Sequence, residues 1–183
     1  MSSEQFWPDN GDVVLVNGLL GDHGAAILGA RDDIALEAPI SSDCAPLHDL
    51  IARVLSAAPA TRFIRDPTRG GVATVLNEVA EAAQLAIEVD EAATPLRDEV
   101  RGFCEILGLD PLYLANEGKL VAVVPSHAAA RVLAAMRTHP LGREAAAIGE
   151  VEEGPGGLVV LHTVFGGQRI VDMLVGEQLP RIC

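Results

Sequence analysis

Two short apolar runs rich in β-branched residues constrain the fold of this chain more than any other feature. One is DVVLVNG at 12–18 and the other is GKLVAVVP at 118–125. Runs of this length between turn residues are typical of strands in the interior of a sheet. Two more strands are predicted at TRFIRD (61–66) and at LAIEVD (85–90), the second of which alternates apolar and polar residues. The chain must therefore bury a sheet.

Segments with helical spacing lie between these strands and are predicted to cover the sheet. Within 47–58, apolar residues recur every three or four positions, as on one face of a helix. Further helices are predicted from about Gly24, at 70–83, at 126–139, and at 94–108 with Thr94 as N-cap and Pro95 at the first helical position. At 146–172 we expect two or three strands joined by glycine turns.

Helices that alternate with strands, followed by a strand-rich end, predict an α+β fold: a mixed β-sheet with helices packed on it. Residues 1–11 are expected to be a disordered or loosely packed lead-in, and 12–172 to form the domain. Helical and strand signals fade after Asp172, and Gly176 and Pro180 follow. We therefore expect residues 173–183 to be a flexible tail that ends in a cysteine.

Composition and charge exclude several classes of function. Lys and Arg number 13 against 26 Asp and Glu, a net charge of −13, and aromatic residues make up 3%. A nucleic-acid-binding face needs basic and often stacking residues, so such a partner is not expected. No apolar run approaches the length of a membrane helix, and the first residues do not form a secretory signal. Three widely spaced cysteines favour a reducing cytoplasm over a disulfide framework.

The stretch RDPTRGGVATVLNE (65–78) carries the densest set of local signals. Gly70 and Gly71 permit positive φ angles and the close approach of another group at the start of a predicted helix. The helix N-terminus could hold an anion, with Arg65 or Arg69 beside it. The alternative is an ordinary strand-to-helix turn capped by Asp66. The sequence leaves both interpretations open.

Two other turns carry ionisable groups. His23 lies in GDHG (21–24) and could act as an acid or base, or could simply be a turn residue. Glu117 lies in NEGK (116–119) and could be a general base, or could form a surface salt link with Lys119. Cys44 in SSDCAPL is predicted to be a small buried residue rather than a nucleophile. The other four histidines have no metal-ligand spacing and are interpreted as structural or surface groups.

The chain ends in PRIC, with Cys183 as its last residue. A thiol at this position cannot help a core, and it is a nucleophile only as the thiolate. With an ordinary pKa of about 8.5, only a small fraction is ionised at neutral pH. A reactive Cys183 would therefore need help from a cleft that the tail enters. A terminal cysteine without any function is the alternative.

These pieces occur together, and in this order, in one family. Over residues 11–183 the chain resembles the C-terminal part of the hydrogenase maturation proteins called HypE. The resemblance is carried by GDVVLVNGLLGDHGAAILGAR, SDCAPL, RDPTRGGVATVLNEVA, ANEGKLVAVVP and the ending PRIC. RDPTRGG combined with a terminal PRIC makes the resemblance specific.

The resemblance implies a fold, an activity and partners. The fold would be that of the C-terminal domain of aminoimidazole ribonucleotide synthetase-like proteins. In this family a terminal cysteine accepts a carbamoyl group from HypF, and ATP-dependent dehydration converts the thiocarboxamide to a thiocyanate. The cyanide then passes to iron on a HypC–HypD complex, where it becomes a ligand of nickel–iron hydrogenase. The resemblance also allows a homodimer.

The same resemblance suggests roles for particular residues. It implies that Cys183 is the acceptor thiol and that Glu117 accepts a proton during dehydration. His23 and the turn with Arg69, Gly70 and Gly71 would line the groove that receives the tail or the nucleotide.

The chain departs from the family pattern in one large respect, because the N-terminal ATP-binding half is absent from it. That half carries most of the family's contacts to ATP and magnesium, so neither is expected to bind tightly here. We therefore predict no dehydratase activity for the chain alone. Two alternatives are a binding module that docks maturation partners without chemistry, and a domain of another synthetase-like enzyme. PRIC counts against the second.

Overall fold

A mixed β-sheet forms the centre of the molecule. The computed structural model describes residues 7–30 and 40–174. Within these residues seven strands form one sheet in the order β2-β4-β1-β5-β3-β6-β7. The strands are β1 (Val13–Val16), β2 (Phe63–Arg65), β3 (Ala86–Asp90), β4 (Val121–Val124), β5 (Ala146–Glu152), β6 (Leu158–His162) and β7 (Gln168–Ile170). All neighbours are antiparallel except β3 and β6, which are parallel.

Helices pack on both faces of this sheet, so the predicted α+β class is confirmed. The helices are α1 (Asp22–Gly29), α2 (His48–Ala57), α3 (Gly71–Ala83), α4 (Asp98–Leu107) and α5 (Ser126–Arg137). Two 3-10 turns, Pro111–Tyr113 and Pro140–Gly142, complete the described elements.

Strand β1 divides the core into two layers. Val13 and Leu15 pack with the buried residues of α2 and α5, whereas Val14 and Val16 pack with those of α3. Successive side chains of a strand point to opposite faces, so an unbroken apolar run belongs where both faces are covered. Each such side chain contributes about 1.5–3 kcal/mol when it is fully buried. This burial explains why DVVLVNG shows no alternation.

A smaller apolar cluster holds α1 beside the 111–117 segment. Ala25 and Leu28 of α1 contact the cluster that Val100 and Phe103 of α4 form with Leu114. The backbone also joins the two segments, because the N–H of Gly24 donates to the carbonyl oxygen of Ala115 at 2.9 Å. The start of α1 is therefore held against the segment that leads into NEGK.

The predicted start of α4 is wrong by three residues. The helix begins at Asp98, with Arg97 in the cap position, rather than after a cap at Thr94. Thr94 instead closes a turn by donating its hydroxyl to the carbonyl oxygen of Asp90 at 2.8 Å. The next residues extend alongside Leu20, whose N–H donates to Pro95 at 2.9 Å. A contact with a segment distant in sequence has overridden the local helix signal.

The strand-rich end forms three strands, as expected, but β5 and β6 are not neighbours in the sheet. Strand β3 lies between them, antiparallel to β5 and parallel to β6. The glycine-rich turn at 154–157 therefore carries the chain across the end of β3 instead of closing a hairpin. Only the turn around Gly166, with φ of +80°, joins hydrogen-bonded neighbours, β6 and β7.

Candidate active site

Asn116 joins the three turns in which the sequence predicted functional residues. Its side chain is fully buried. Its Oδ1 accepts a hydrogen bond at 2.8 Å from the N–H of Gly21, two residues before His23. Its Nδ2 donates to the carbonyl oxygens of Leu114 at 2.8 Å and Pro67 at 3.3 Å. Its backbone N–H also donates to Pro67, at 3.1 Å. One residue thus connects GDHG, RDPTRGG and NEGK.

Glu117 lies between Asn116 and Gly118, and the backbone at Gly118 is also held by contacts. The carbonyl oxygen of Gly118 accepts a hydrogen bond from Asn17 Nδ2 at 3.2 Å. A Cβ at Gly118 would collide with the carbonyl oxygen of Asp43, so the 40–46 segment crosses this turn closely. The Glu117 side chain is exposed and makes no hydrogen bond to any described residue. An exposed carboxylate thus lies on a fixed piece of backbone.

Lys119 pairs with Asp43 rather than with Glu117. The ammonium Nζ contacts Asp43 Oδ2, and the two side chains are 10% and 11% exposed. The alternative in which NEGK is a salt link between Glu117 and Lys119 is therefore wrong. The ion pair fastens the 40–46 segment to the turn and leaves the Glu117 carboxylate available.

His23 lies in the first turn of α1, half-buried, and contacts the same segment. Its Nδ1 is 2.9 Å from Ser42 Oγ, and the N–H of Cys44 donates to that oxygen at 3.3 Å. Asp22 does not pair with His23. Its buried carboxylate accepts hydrogen bonds from Arg97 Nε at 2.9 and 3.0 Å, which raise the pKa of Arg97. The imidazole is therefore free of the carboxylate beside it in sequence.

The RDPTRGG turn has its two glycines at positive φ, +69° at Gly70 and +61° at Gly71. Helix α3 begins at Gly71, with Gly70 in the cap position and no side-chain cap, so the alternative with Asp66 as cap is wrong. A Cβ at Gly71 would collide with the carbonyl oxygen of Leu112. The group that comes close to Gly71 is therefore the backbone of this chain at Leu112.

Replacing Gly71 by alanine is expected to destabilise the fold by about 2–4 kcal/mol. The left-handed φ and the collision with Leu112 both penalise a Cβ there. Gly102→Ala is the matched control, since it lies within α4 with no atom near its missing Cβ. That change should stabilise the helix by roughly 0.5–1 kcal/mol. Urea unfolding of both variants measures the difference, and equal free energies of unfolding would contradict the prediction.

The end of the described chain runs back toward this turn. Asn77 Nδ2 donates to the carbonyl oxygen of Val171 at 2.9 Å, and Tyr113 donates its hydroxyl to that of Asp172 at 2.7 Å. A Cβ at Gly70 would lie 3.4 Å from Leu174 Cδ2. Residues 171–174 therefore follow the start of α3 to the turn around Gly70. Cys183, the predicted acceptor, lies outside the described residues.

The described residues do not fit a magnesium ion by themselves. Among residues 7–30 and 40–174, no group of three or more His, Cys, Asp or Glu side chains could hold a metal ion. The N-terminus of α3 has no side-chain cap, and a helix end of this kind can hold an anion such as a nucleotide phosphate. Arg69 is exposed beside it. Across the same part of the chain, no helix has the length and hydropathy needed to span a membrane.

Sequence reasoning missed the residues that assemble the site. Asn116 lies inside the NEGK motif, in which Glu117 was predicted as the functional residue. The local signal for Asn116 is that its uncharged amide directly precedes a candidate base. No sequence pattern indicated that Asn17, Ser42 and Asp43 would contact these turns. The prediction that Cys44 is buried is wrong, because the segment that bears it lies on the outside of the NEGK turn and leaves the thiol exposed.

The fold and this junction of three turns define a class of domain, and comparison with known proteins identifies it. Residues 9–162 match the family model "AIR synthase related protein, C-terminal domain". The chain belongs to this family. More particularly, it is 60% identical over 173 residues to the carbamoyl dehydratase HypE of Rhodobacter capsulatus. That match covers 94% of this chain and 51% of the relative, so the chain spans about half the length of the curated relatives it matches.

Solved structures agree. A crystal structure of HypE in complex with ATP superposes with a TM-score of 0.90 and 43% identity over 98% of this chain and 55% of that one. HypE in the HypE–HypF complex gives a TM-score of 0.86 and 42% identity over 91% of this chain and 54% of that one. The resemblance to the C-terminal part of HypE is confirmed.

Proposed function

We propose that this chain is the domain of a carbamoyl dehydratase that carries the acceptor thiol, Cys183. In this proposal residues 12–172 form the domain, and residues 173–183 are a tail that delivers the thiol. The activity would belong to cytoplasmic maturation of nickel–iron hydrogenase. The observation that carries the proposal is the path of residues 171–174 to the turn around Gly70.

The tail is long enough to present its thiol at more than one place. Nine residues follow Leu174 and end at Cys183. An extended chain of that length spans at most about 30 Å. Such a reach would let the thiol visit Glu117 and His23 and also a donor or acceptor bound outside the domain. This reach suits a carrier that receives a group at one site and releases it at another.

The other two cysteines are poorer acceptors for different reasons. Cys104 is buried in α4, and burial raises the pKa of its thiol to about 11, so it stays protonated at neutral pH. Cys44 is exposed, but it lies on the 40–46 segment, whose neighbours are fixed by Lys119 and His23. A group attached there could not move between sites. A thiol on a flexible tail would combine exposure with reach.

The dehydration balances with Glu117 as proton acceptor. A thiocarboxamide, R–S–CO–NH2, reacts with ATP to give the thiocyanate R–S–C≡N, ADP and phosphate. The amide oxygen leaves in the phosphate, and two protons must leave the nitrogen. An exposed carboxylate on fixed backbone is suited to remove such a proton. His23 would contribute as the second ionisable group beside the groove.

Partners and cosubstrates follow from the same proposal. HypF would donate the carbamoyl group, and a HypC–HypD complex would accept the cyanide. ATP and magnesium would be held mainly by the half that the relatives carry in addition to this region. Arg69, Gly70, Gly71 and the start of α3 would contribute the backbone amides and positive charge near the phosphates. The chain alone would lack dehydratase activity, and a homodimer would form through the additional half.

Mass spectrometry tests the carrier role directly. The chain is incubated with HypF, carbamoyl phosphate and ATP, then digested. We expect a carbamoyl group on the peptide that contains Cys183 and none on those containing Cys44 or Cys104. Modification at either of these two sites, or at none, would contradict the proposal. ATP turnover or thiocyanate formation by the chain alone would contradict its predicted inactivity.

A non-catalytic docking module is the second candidate function. The large acidic excess, 26 against 13 basic residues, favours it as a surface for partners. The two functions differ in their need for the thiol. Capture of HypF by a Cys183→Ala chain, with no modification of the unaltered chain, would favour the docking module.

A further inference from the structure

The position of the Glu117 carboxylate depends on contacts that the neighbouring residues make. The Glu117 side chain contacts no hydrogen-bond partner among the described residues, so its place depends on the backbone at 116 and 118. On the far side, Gly118 is held by Asn17 and by the close passage of Asp43. On the near side, Asn116 makes three side-chain hydrogen bonds, and the Gly24 N–H donates to the carbonyl oxygen of Ala115.

Asn116 uses both ends of its amide, and no other side chain of this length can both accept through a carbonyl oxygen and donate twice through one nitrogen. Its Oδ1 accepts one N–H, from Gly21, while its Nδ2 donates to two carbonyl oxygens, of Leu114 and Pro67. These partners belong to three chain segments, of which the one with Gly21 is 95 residues from Asn116 in sequence. A fully buried amide with all three bonds made is costly to disturb, because each lost bond leaves a buried polar group unpaired.

We propose that Asn116 is the positioning residue that sets where the Glu117 carboxylate lies relative to His23 and the turn around Gly70. The inference rests on the proposed function, since it assigns Asn116 a part in the same dehydration. Asn116 itself touches no substrate. It acts through Glu117, by fixing the distance from that carboxylate to the two turns that receive the tail.

Asn116→Asp isolates this role. The aspartate keeps the size of the side chain and an oxygen for the Gly21 N–H, but its carboxylate cannot donate to Leu114 or Pro67. A displacement of the base by about 1 Å costs about 10²-fold in rate. We therefore expect the dehydration rate to fall by about 10²-fold, with carbamoylation of Cys183 by HypF unchanged. The assay uses the chain fused to the additional half that the relatives carry.

A double-mutant cycle with Glu117→Gln separates positioning from general structural damage. If Asn116 acts through Glu117, Asn116→Asp causes no further loss when Glu117 is already glutamine. An equal loss in both backgrounds would overturn the inference. Val132→Ala, which weakens the α5 side of the sheet where no site residue lies, is the control for destabilisation and should leave the rate unchanged.

Two further outcomes keep this inference distinct from the proposed function. Full activity of Glu117→Gln would overturn the role of Glu117 and this inference with it. If Glu117→Gln slows dehydration but Asn116→Asp leaves the rate unchanged, the inference about Asn116 is overturned and the proposed function is not. If Asn116→Asp does not fold, Asn116→Ser replaces it. The serine hydroxyl preserves one donor without adding charge, so its rate should lie between those of the unaltered protein and Glu117→Gln, and an unaltered rate would again overturn the inference.

Discussion

A chain with Cys183 replaced by alanine is expected to take up no carbamoyl group from HypF. The loss should be complete, because a buried Cys104 with its raised pKa stays protonated and cannot substitute. Cys44 cannot replace the tail either, since it lies on a segment fastened to Lys119. The measurement is the intact mass of the chain after incubation with HypF, carbamoyl phosphate and ATP.

Cys44→Ala is the matched control for this result. It removes an exposed thiol and leaves the tail unchanged, so modification should proceed to the same extent as in the unaltered chain. A carbamoyl mass on the Cys183→Ala chain would refute the carrier role. A loss of modification in Cys44→Ala would instead move the acceptor to the 40–46 segment.

Glu117→Gln is expected to slow dehydration by about 10²–10⁴-fold in the protein fused to the additional half. The amide has the shape of the carboxylate but cannot accept the proton that must leave the thiocarboxamide nitrogen. Carbamoylation of Cys183 should be unchanged, because that transfer needs no base at this position. Single-turnover conversion of the carbamoylated protein to thiocyanate measures the effect.

The stability of the Glu117→Gln protein should hardly change. The side chain is exposed and unpaired among the described residues, and such substitutions usually alter the free energy of unfolding by less than about 0.5 kcal/mol. Glu153→Gln, on the turn after β5, is an exposed glutamate away from the site and should keep the full rate. Equal rates for the two variants would show that Glu117 is not the base.

Local patterns predicted most of the elements, and their failures have identifiable causes. Strand β4 and helix α2 follow directly from β-branched and helical periodicity. The prediction for the start of α4 was wrong because Pro95 accepts a hydrogen bond from Leu20, an interaction that the local sequence does not indicate. The Thr94-Pro95 pair carried a valid helix-start signal, and a competing contact with Leu20, distant in sequence, outweighed it.

In the candidate site, too, local features could be predicted and contacts between distant segments could not. His23, Glu117 and the glycines at 70 and 71 were each recognisable in their motifs, because ionisable residues and glycines in turns are local signals. Their common location was not recognisable. It depends on the amide of Asn116 and on the ion pair between Lys119 and Asp43, residues 76 positions apart.

The sequence by itself determined that this chain folds as a sheet covered by helices and that it ends in a thiol, because periodicity and covalent order are local properties. Only the tertiary structure decided that β3 lies between β5 and β6 and that three turns meet at one buried amide. Such pairings depend on which apolar faces can be buried together and on which polar groups are then left to satisfy. That choice is made by the whole chain at once, and no single segment encodes it.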